Sequence, residues 1–260
     1  MYSGSFARYY DALTANVNYP ARARYFHRLI KKYTGRKPRI LLDLACGTGS
    51  LSWEFSAMGY EVVGVDASPE MLSAALSKAG EFPGVNLPLF LCQRMEELDL
   101  YGSVEACVCA LDSLNHLPDL PALRAVFSRV ALFLAPGGVF LFDVNTRHKH
   151  RDILGNNAFV YQTQGVICTW RNAYHERHGR VDISLDFFTP QGGGLYRRTA
   201  EQFSERIFSH RQLHGALKAS GLDLLAVRDE NRLRLPGKPP QRLVYAAKKR
   251  GQTASAQREK

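Results

Sequence analysis

The chain has 260 residues, 45% of them hydrophobic, 22% charged and 11% aromatic, with a net charge of +10. That is enough apolar material for one α/β domain with an insertion, or for a core with a small second lobe. No run of about 18 apolar residues occurs, which argues against a membrane-spanning helix, and Met1-Tyr-Ser-Gly-Ser-Phe lacks the features of a secretory signal. The expectation is a cytoplasmic protein whose five cysteines (46, 92, 107, 109 and 168) are reduced. Neither these cysteines nor His175, His178 and His210 have metal-ligand spacing, so no metal is expected.

Residues 6–19 carry Tyr9, Tyr10, Asp11 and Tyr19 among small and polar residues. Residues 20–33 read as a helix, with Pro20 at its start and Tyr25, Phe26, Leu29, Ile30 and Tyr33 at helical spacing before Gly35. Residues 40–44 are short, branched and bounded by polar residues, as in a buried strand, and Gly47 and Gly49 follow in a turn. A helix over 51–58 stops at Gly59, and a second strand ends at Asp66. Ser68 and Pro69 open another helix. Strands are expected over 86–92, 104–110 and 139–143, and a helix over 121–134 that Pro136-Gly137-Gly138 ends. Leu111-Asp-Ser-Leu-Asn-His116 and Asn145 then fall at one edge of the sheet.

Residues 147–206 break the α/β rhythm. Four β-branched and aromatic segments, with turns at His178-Gly179 and over 191–194, predict three or four antiparallel strands. Ser209-His-Arg-Gln212 reads as a capping box opening a helix to Ser220. Residues 222–227 and 243–247 supply two last strands, with a turn over 236–240.

The chemistry starts at the strand, the glycine turn and the helix over 40–58. A strand–glycine–helix corner at the carboxyl end of a parallel strand binds nucleotides. Ser52 stands where a dinucleotide fingerprint has its third glycine, and Asp43 lies four residues before Gly47. A carboxylate there suits a cationic ligand better than a pyrophosphate. Asp66, at the tip of the second strand, is placed to accept hydrogen bonds from two ribose hydroxyls. Together Asp43 and Asp66 suit a ligand with an amino group, a sulfonium and a free ribose.

Leu42-Asp-Leu-Ala-Cys-Gly-Thr-Gly49 resembles the first motif of the class I S-adenosylmethionine-dependent methyltransferases, and Val63-Gly-Val-Asp66 resembles the second. Asp112-Ser-Leu-Asn115, Pro136-Gly-Gly-Val-Phe and Leu154-Gly-Asn-Asn157 resemble a subgroup of small bacterial methyltransferases similar in layout to sugar N,N-dimethyltransferases. The resemblance spans about residues 6–247. It implies a Rossmann-like seven-stranded sheet with helices on both faces, the last strand antiparallel beside strand 5, plus an inserted antiparallel β-sheet after strand 5. The implied division is an N-terminal helical cap over 1–36, a core over 37–146 and 207–248, an inserted lid or dimerisation sheet over 147–206, and a disordered basic tail over 249–260. The implied cofactor is S-adenosyl-L-methionine, held by Tyr10, Tyr19, Asp43, Ala45, Gly47, Gly49, Asp66, Ala67, Met71, Gln93, Met95 and Leu111. Arg94 stands where the family commonly has an acid that accepts from adenine. Arginine cannot accept, so Gln93 or a backbone carbonyl takes over, or Arg94 stacks on the ring.

Methyl transfer is an in-line displacement that needs alignment, water exclusion and, for a protonated nucleophile, proton removal. Asp112 and His116 are the candidate catalytic groups, and Asn145, Tyr161 and Trp170 the candidate acceptor contacts. His148, Glu201 and Arg206 are further polar groups in reach of this region. The acceptor is expected to be a small molecule methylated at nitrogen or oxygen, and the inserted sheet offers a surface for a homodimer. The charge keeps a second reading open. Residues 1–39 hold a net +8 and residues 248–260 a net +4, which leaves the body at −2. A basic first helix is what an RNA methyltransferase would use, although no aromatic-basic stacking motif accompanies it. A third reading is a non-catalytic cofactor-binding protein on the same scaffold.

Overall fold

The computed structural model describes residues 4–163, 165–230 and 239–251. Five strands, β1 (Ile40–Leu44), β2 (Glu61–Asp66), β3 (Leu89–Cys92), β4 (Val104–Cys109) and β5 (Leu134–Asn145), run parallel. β6 (Ala158–Gln162), β7 (Ile167–His175), β8 (Arg180–Gly192) and β9 (Leu195–Arg206) form a separate antiparallel sheet. β10 (Leu222–Asp229) and β11 (Arg242–Lys249) return to the first sheet, with β11 antiparallel to β5. Its order is β10-β11-β5-β4-β1-β2-β3. The order reverses between β1 and β4, and such a reversal opens a crevice at the carboxyl ends of the strands.

Alternation along the strands divides the core. Leu42, Leu44, Cys107, Cys109, Phe140 and Phe142 face α5 (Leu120–Phe133) and α6 (His210–Ala219). Leu41, Ala106, Val108, Val139 and Leu141 face α2 (Tyr19–Thr34) and α3 (Ser50–Ala57). The capping box at Ser209 and Gln212 forms as read, and Ser68 caps α4 (Pro69–Ser77). The helix expected from Pro20 begins one residue earlier, with Asn18 as its cap.

Three readings need correction. Pro136-Gly137-Gly138 does not separate helix from strand: β5 starts at Leu134 and carries that tripeptide through an irregularity in its pairing with β4. Gly138 is needed there, because a Cβ would sit 2.9 Å from the carbonyl oxygens of Ala135 and Glu105. The segment 1–36 divides: α1 (Gly4–Leu13) packs on the inserted sheet, while α2 buries Ala23, Phe26, Leu29 and Ile30 against the core sheet. The expected tail starts late, since Lys249 ends β11 and Arg250 pairs with Asp223. Residues 252–260, and most of the turn over 236–240, lie outside the described residues.

In β8, Val181, Ile183, Leu185 and Phe187 alternate inward and meet Phe6 and Ala7 of α1 and Met71 of α4. The second sheet thus rests on the core through α1 and, at β9, directly on residues 113–116 and Asn145. No helix among the described residues is long and apolar enough to cross a membrane.

Candidate active site

The turn after β1 is left-handed at Ala45, Gly47 and Gly49. Asp66 holds it: Gly47 N–H donates to Oδ2 and Ser68 N–H to Oδ1, both at 2.9 Å. Each carboxylate oxygen keeps a second lone pair for a ligand hydroxyl. The two glycines differ in purpose. A Cβ on Gly47 would meet nothing within 4 Å, so this glycine leaves open space in the cleft. A Cβ on Gly49 would lie 2.8 Å from Cβ of Ala75, so this one lets α3 pack on α4. Asp43 is buried, and Ser52 donates to its Oδ2 at 2.6 Å. Burial pushes the Asp43 carboxyl up to about 7, against the Ser52 bond and with help from Asp66. A neutral acid in this position becomes a carboxylate when a cation approaches.

Three cavities meet at Leu111. The first, about 280 Å³, is lined by Tyr10, Ala45, Gly47, Asp66, Ala67, Met71, Gln93, Met95, Leu111 and His116 among others. A recess of about 30 Å³ beside it brings in Tyr19 and Asp43. Of the residues expected to hold cofactor, only Gly49 lines neither. A third cavity, about 490 Å³, lies on the other side of Leu111 and is walled by Asn18, Arg22, Asn145, Lys149, Glu230 and Arg242.

The adenine end differs from expectation. Both ends of the Gln93 amide are bound to the Asp99 backbone, which leaves its Oε1 one further lone pair. Arg94 turns to Glu96, with Nη2 to Oε1 at 2.7 Å. Glu96 lines the cavity and places an acid two residues along from Arg94.

The mouth of the crevice is built on Asp143, which is buried at the end of β5. Leu111 N–H donates to its Oδ2 at 2.9 Å and Asp112 N–H to its Oδ1 at 2.7 Å. Both donors sit in left-handed conformations, at φ 58° and 55°. Such residues persist only where the surroundings over-determine them. Arg242 and Arg22 also reach Asp143, and they outweigh its burial and hold its carboxyl below the usual range. Arg242 continues to Asp112 Oδ1 at 2.6 Å and to Glu230.

Asp112 and His116 come together, and Glu205 of β9 joins them; their ligand atoms lie within 4.8 Å of one another. Burial raises the Asp112 carboxyl against the pull of Arg242. Asn145 Nδ2 donates to Asp112 at 2.8 Å and to Glu205 at 3.2 Å. His150, fully buried, meets Glu205 Oε2 at 2.8 Å. The spacing of the trio would suit a cation, but other side chains already occupy these oxygens: Arg242 and Asn145 on Asp112, His150 and Asn145 on Glu205.

Tyr161 and Trp170 stand apart from this site. Their rings pair with each other at 6.2 Å on β6 and β7, and neither lines the cavities described above. His148 pairs with Asp152. The sequence reading missed Asp143, Glu205, His150, Arg242 and Glu230. Asp143 carried a signal, a carboxylate ending an apolar strand as Asp43 does. Glu205 and His150 are 55 residues apart and carried none.

α1 closes the site. Thr48 Oγ1 donates to Asp11 at 2.6 Å, and Lys78 Nζ meets Asp11 at 2.8 Å and Ser50 at 2.7 Å. This latch places Tyr10 over the glycine turn.

The protein-family profile described as "Methyltransferase domain" matches residues 41–138. The "Putative methyltransferase YqeM" of Bacillus subtilis (strain 168) is 31% identical over 250 residues, covering 96% of this chain and 97% of its own. The crystal structure of a S-adenosylmethionine-dependent methyltransferase from Clostridium acetobutylicum ATCC 824 superposes with a TM-score of 0.82 at 31% identity, covering 95% and 98% of the two chains. The sugar N-methyltransferase KedS8 from Streptoalloteichus sp ATCC 53650 shares the fold, with a TM-score of 0.75 at 20% identity over 93% and 92% of the chains.

Proposed function

The chain belongs to the class I S-adenosylmethionine-dependent methyltransferases, and we propose that it methylates nitrogen or oxygen of a small polar acceptor that approaches across Leu111. S-adenosylmethionine supplies a methyl group activated by its sulfonium. The open space at Gly47, the lone pairs of Asp66 and the titratable Asp43 fit that donor. The observation that carries the acceptor reading is that Leu111 walls both the donor cavity and the polar cavity. The Leu111–Asp112 turn is then the point of transfer. Asn145, with an Oδ1 that has no hydrogen-bond partner, supplies an acceptor to an amine or hydroxyl arriving there. A cavity walled mostly by Asn, Arg, Lys, Glu and Gln favours a hydroxylated or charged molecule over an apolar phenol or quinone.

One charge of the basic helix is not available to RNA. Arg22, one of its charges, is committed to Asp143 and Glu230.

The test is methyl transfer from labelled S-adenosylmethionine to a panel of amino sugars, amino acids, polyamines and phenols. Turnover is expected among the polar amines and alcohols. Turnover confined to apolar phenols, or to RNA, would overturn the reading. A Leu111→Trp variant, which fills the shared wall, is expected to raise the acceptor KM at least tenfold.

A further inference from the structure

His116 lies at the donor cavity with two carboxylates within 4.8 Å of its ring. Asp112 comes from its own turn and Glu205 from β9 of the inserted sheet, each with an oxygen close to a ring nitrogen. The His116 ring rests on Phe203, centroid to centroid 5.3 Å, two residues before Glu205 on the same strand. The inserted sheet thus supplies both a surface and a charge to this imidazole. The two carboxylates are held differently. Asp112 is engaged by Arg242, whose charge offsets its own. Glu205, 3% exposed, is braced through Oε2 by His150 and Asn145.

We propose that Glu205 is a positioning residue for proton removal, holding His116 ready as the base that takes the proton from the acceptor's attacking atom and steadying the imidazolium that results. This rests on the Leu111–Asp112 turn being the point of transfer. As the acceptor atom bonds to the methyl carbon, the carbon–sulfur electron pair leaves with sulfur and the acceptor's proton passes to His116, which later releases it to water. A histidine base needs a partner charge that persists across the working pH. Glu205 provides one: burial would raise its carboxyl, but the hydrogen bonds from His150 and Asn145 help hold it below the usual carboxylate range. The other charged groups acting on His116 are Asp112 on its own turn and Asp66 from β2, with Arg242 of β11 beyond Asp112 and His150 behind Glu205.

The experiment is an NMR titration of histidine ring carbons in protein saturated with S-adenosylhomocysteine, with the His116 signal assigned by its loss in His116→Asn. In Glu205→Gln the His116 midpoint is expected to fall by about one unit or more, since an opposite charge within this range shifts a pKa by roughly 1–3 units. The dissociation constant for S-adenosylhomocysteine is expected to stay within about twofold. With any acceptor that turns over, the acid limb of kcat moves down with the midpoint. Glu205→Asp, which keeps the charge but withdraws it, gives a smaller fall and serves if the amide variant does not fold. A His116 midpoint that moves less than about 0.3 unit in whichever variant folds overturns the proposal. A midpoint that shifts while every polar acceptor fails sinks the acceptor reading alone.

Discussion

Asp143→Asn removes one charge from the middle of the mouth and changes almost no volume. The carboxylate accepts from Leu111 N–H, Asp112 N–H, Arg242 and Arg22. The amide keeps one oxygen and turns an NH2 toward groups that only donate. Charge-assisted bonds contribute about 1.5–3 kcal/mol each, and removing one partner of a buried ionic cluster costs about 3–5 kcal/mol. Asp112 and Glu230 remain for Arg242, so the expected loss is about 3–5 kcal/mol, or roughly 6–20 °C in Tm for a chain of this size. The two left-handed residues also lose their anchor, and the affinity for S-adenosylhomocysteine is expected to fall about tenfold. The pH dependence has a sign. Asp143 is depressed in the folded protein, so its contribution is complete above the unfolded value near 4 and is lost as pH falls through the lower folded value. The Tm gap between wild type and variant should therefore be constant from pH 5 upward and close below pH 4. Calorimetric melts over pH 3–8 and titration with S-adenosylhomocysteine read both effects. A variant melting within 2 °C of wild type at pH 7, with affinity intact, would refute this account of the mouth.

Asp43 gives the opposite pH signature. Its carboxyl is raised by burial to about 7, so the free protein should lose stability as pH rises from about 4 through 7. Affinity for the amino-bearing S-adenosylhomocysteine should climb over the same window, and calorimetry showing a flat profile would remove Asp43 from the ammonium site. Gly49→Ala adds a Cβ 2.8 Å from Ala75 at a φ of 71°, and should cost about 1–3 kcal/mol in denaturant melts. Asp11→Asn weakens the latch to Lys78 and Thr48. Stopped-flow should show S-adenosylhomocysteine leaving about tenfold faster with Tm nearly unchanged; an unchanged rate would mean that α1 does not gate the site.

Local chemistry made the donor half legible in the sequence. Asp43, Gly47 and Asp66 lie within 24 residues on two consecutive strands and their turns, and a parallel strand followed by a glycine turn and a helix has few ways to fold. The second sheet was legible too, because β-branched and aromatic segments separated by glycine turns are the signal for antiparallel strands. Gly49 was readable as a glycine but not as a packing glycine, since Ala75 meets it only after α4 folds back. At the mouth of the crevice the sequence offered Asp112, His116 and Asn145, and tertiary structure added the charges around them. Asp143, Arg242, Glu205 and His150 belong to four separate segments, and of these only Asp143, a carboxylate ending an apolar strand, is marked in its own stretch of sequence. A carboxylate acquires its state from burial and from the charges the fold brings beside it, so Asp143 is depressed and Asp112 raised although they share Arg242. Sequence sets which residues are available at the carboxyl edge of the sheet. The fold sets which charges face one another there, because contacts of high sequence separation exist only once β5, β9 and β11 are in register.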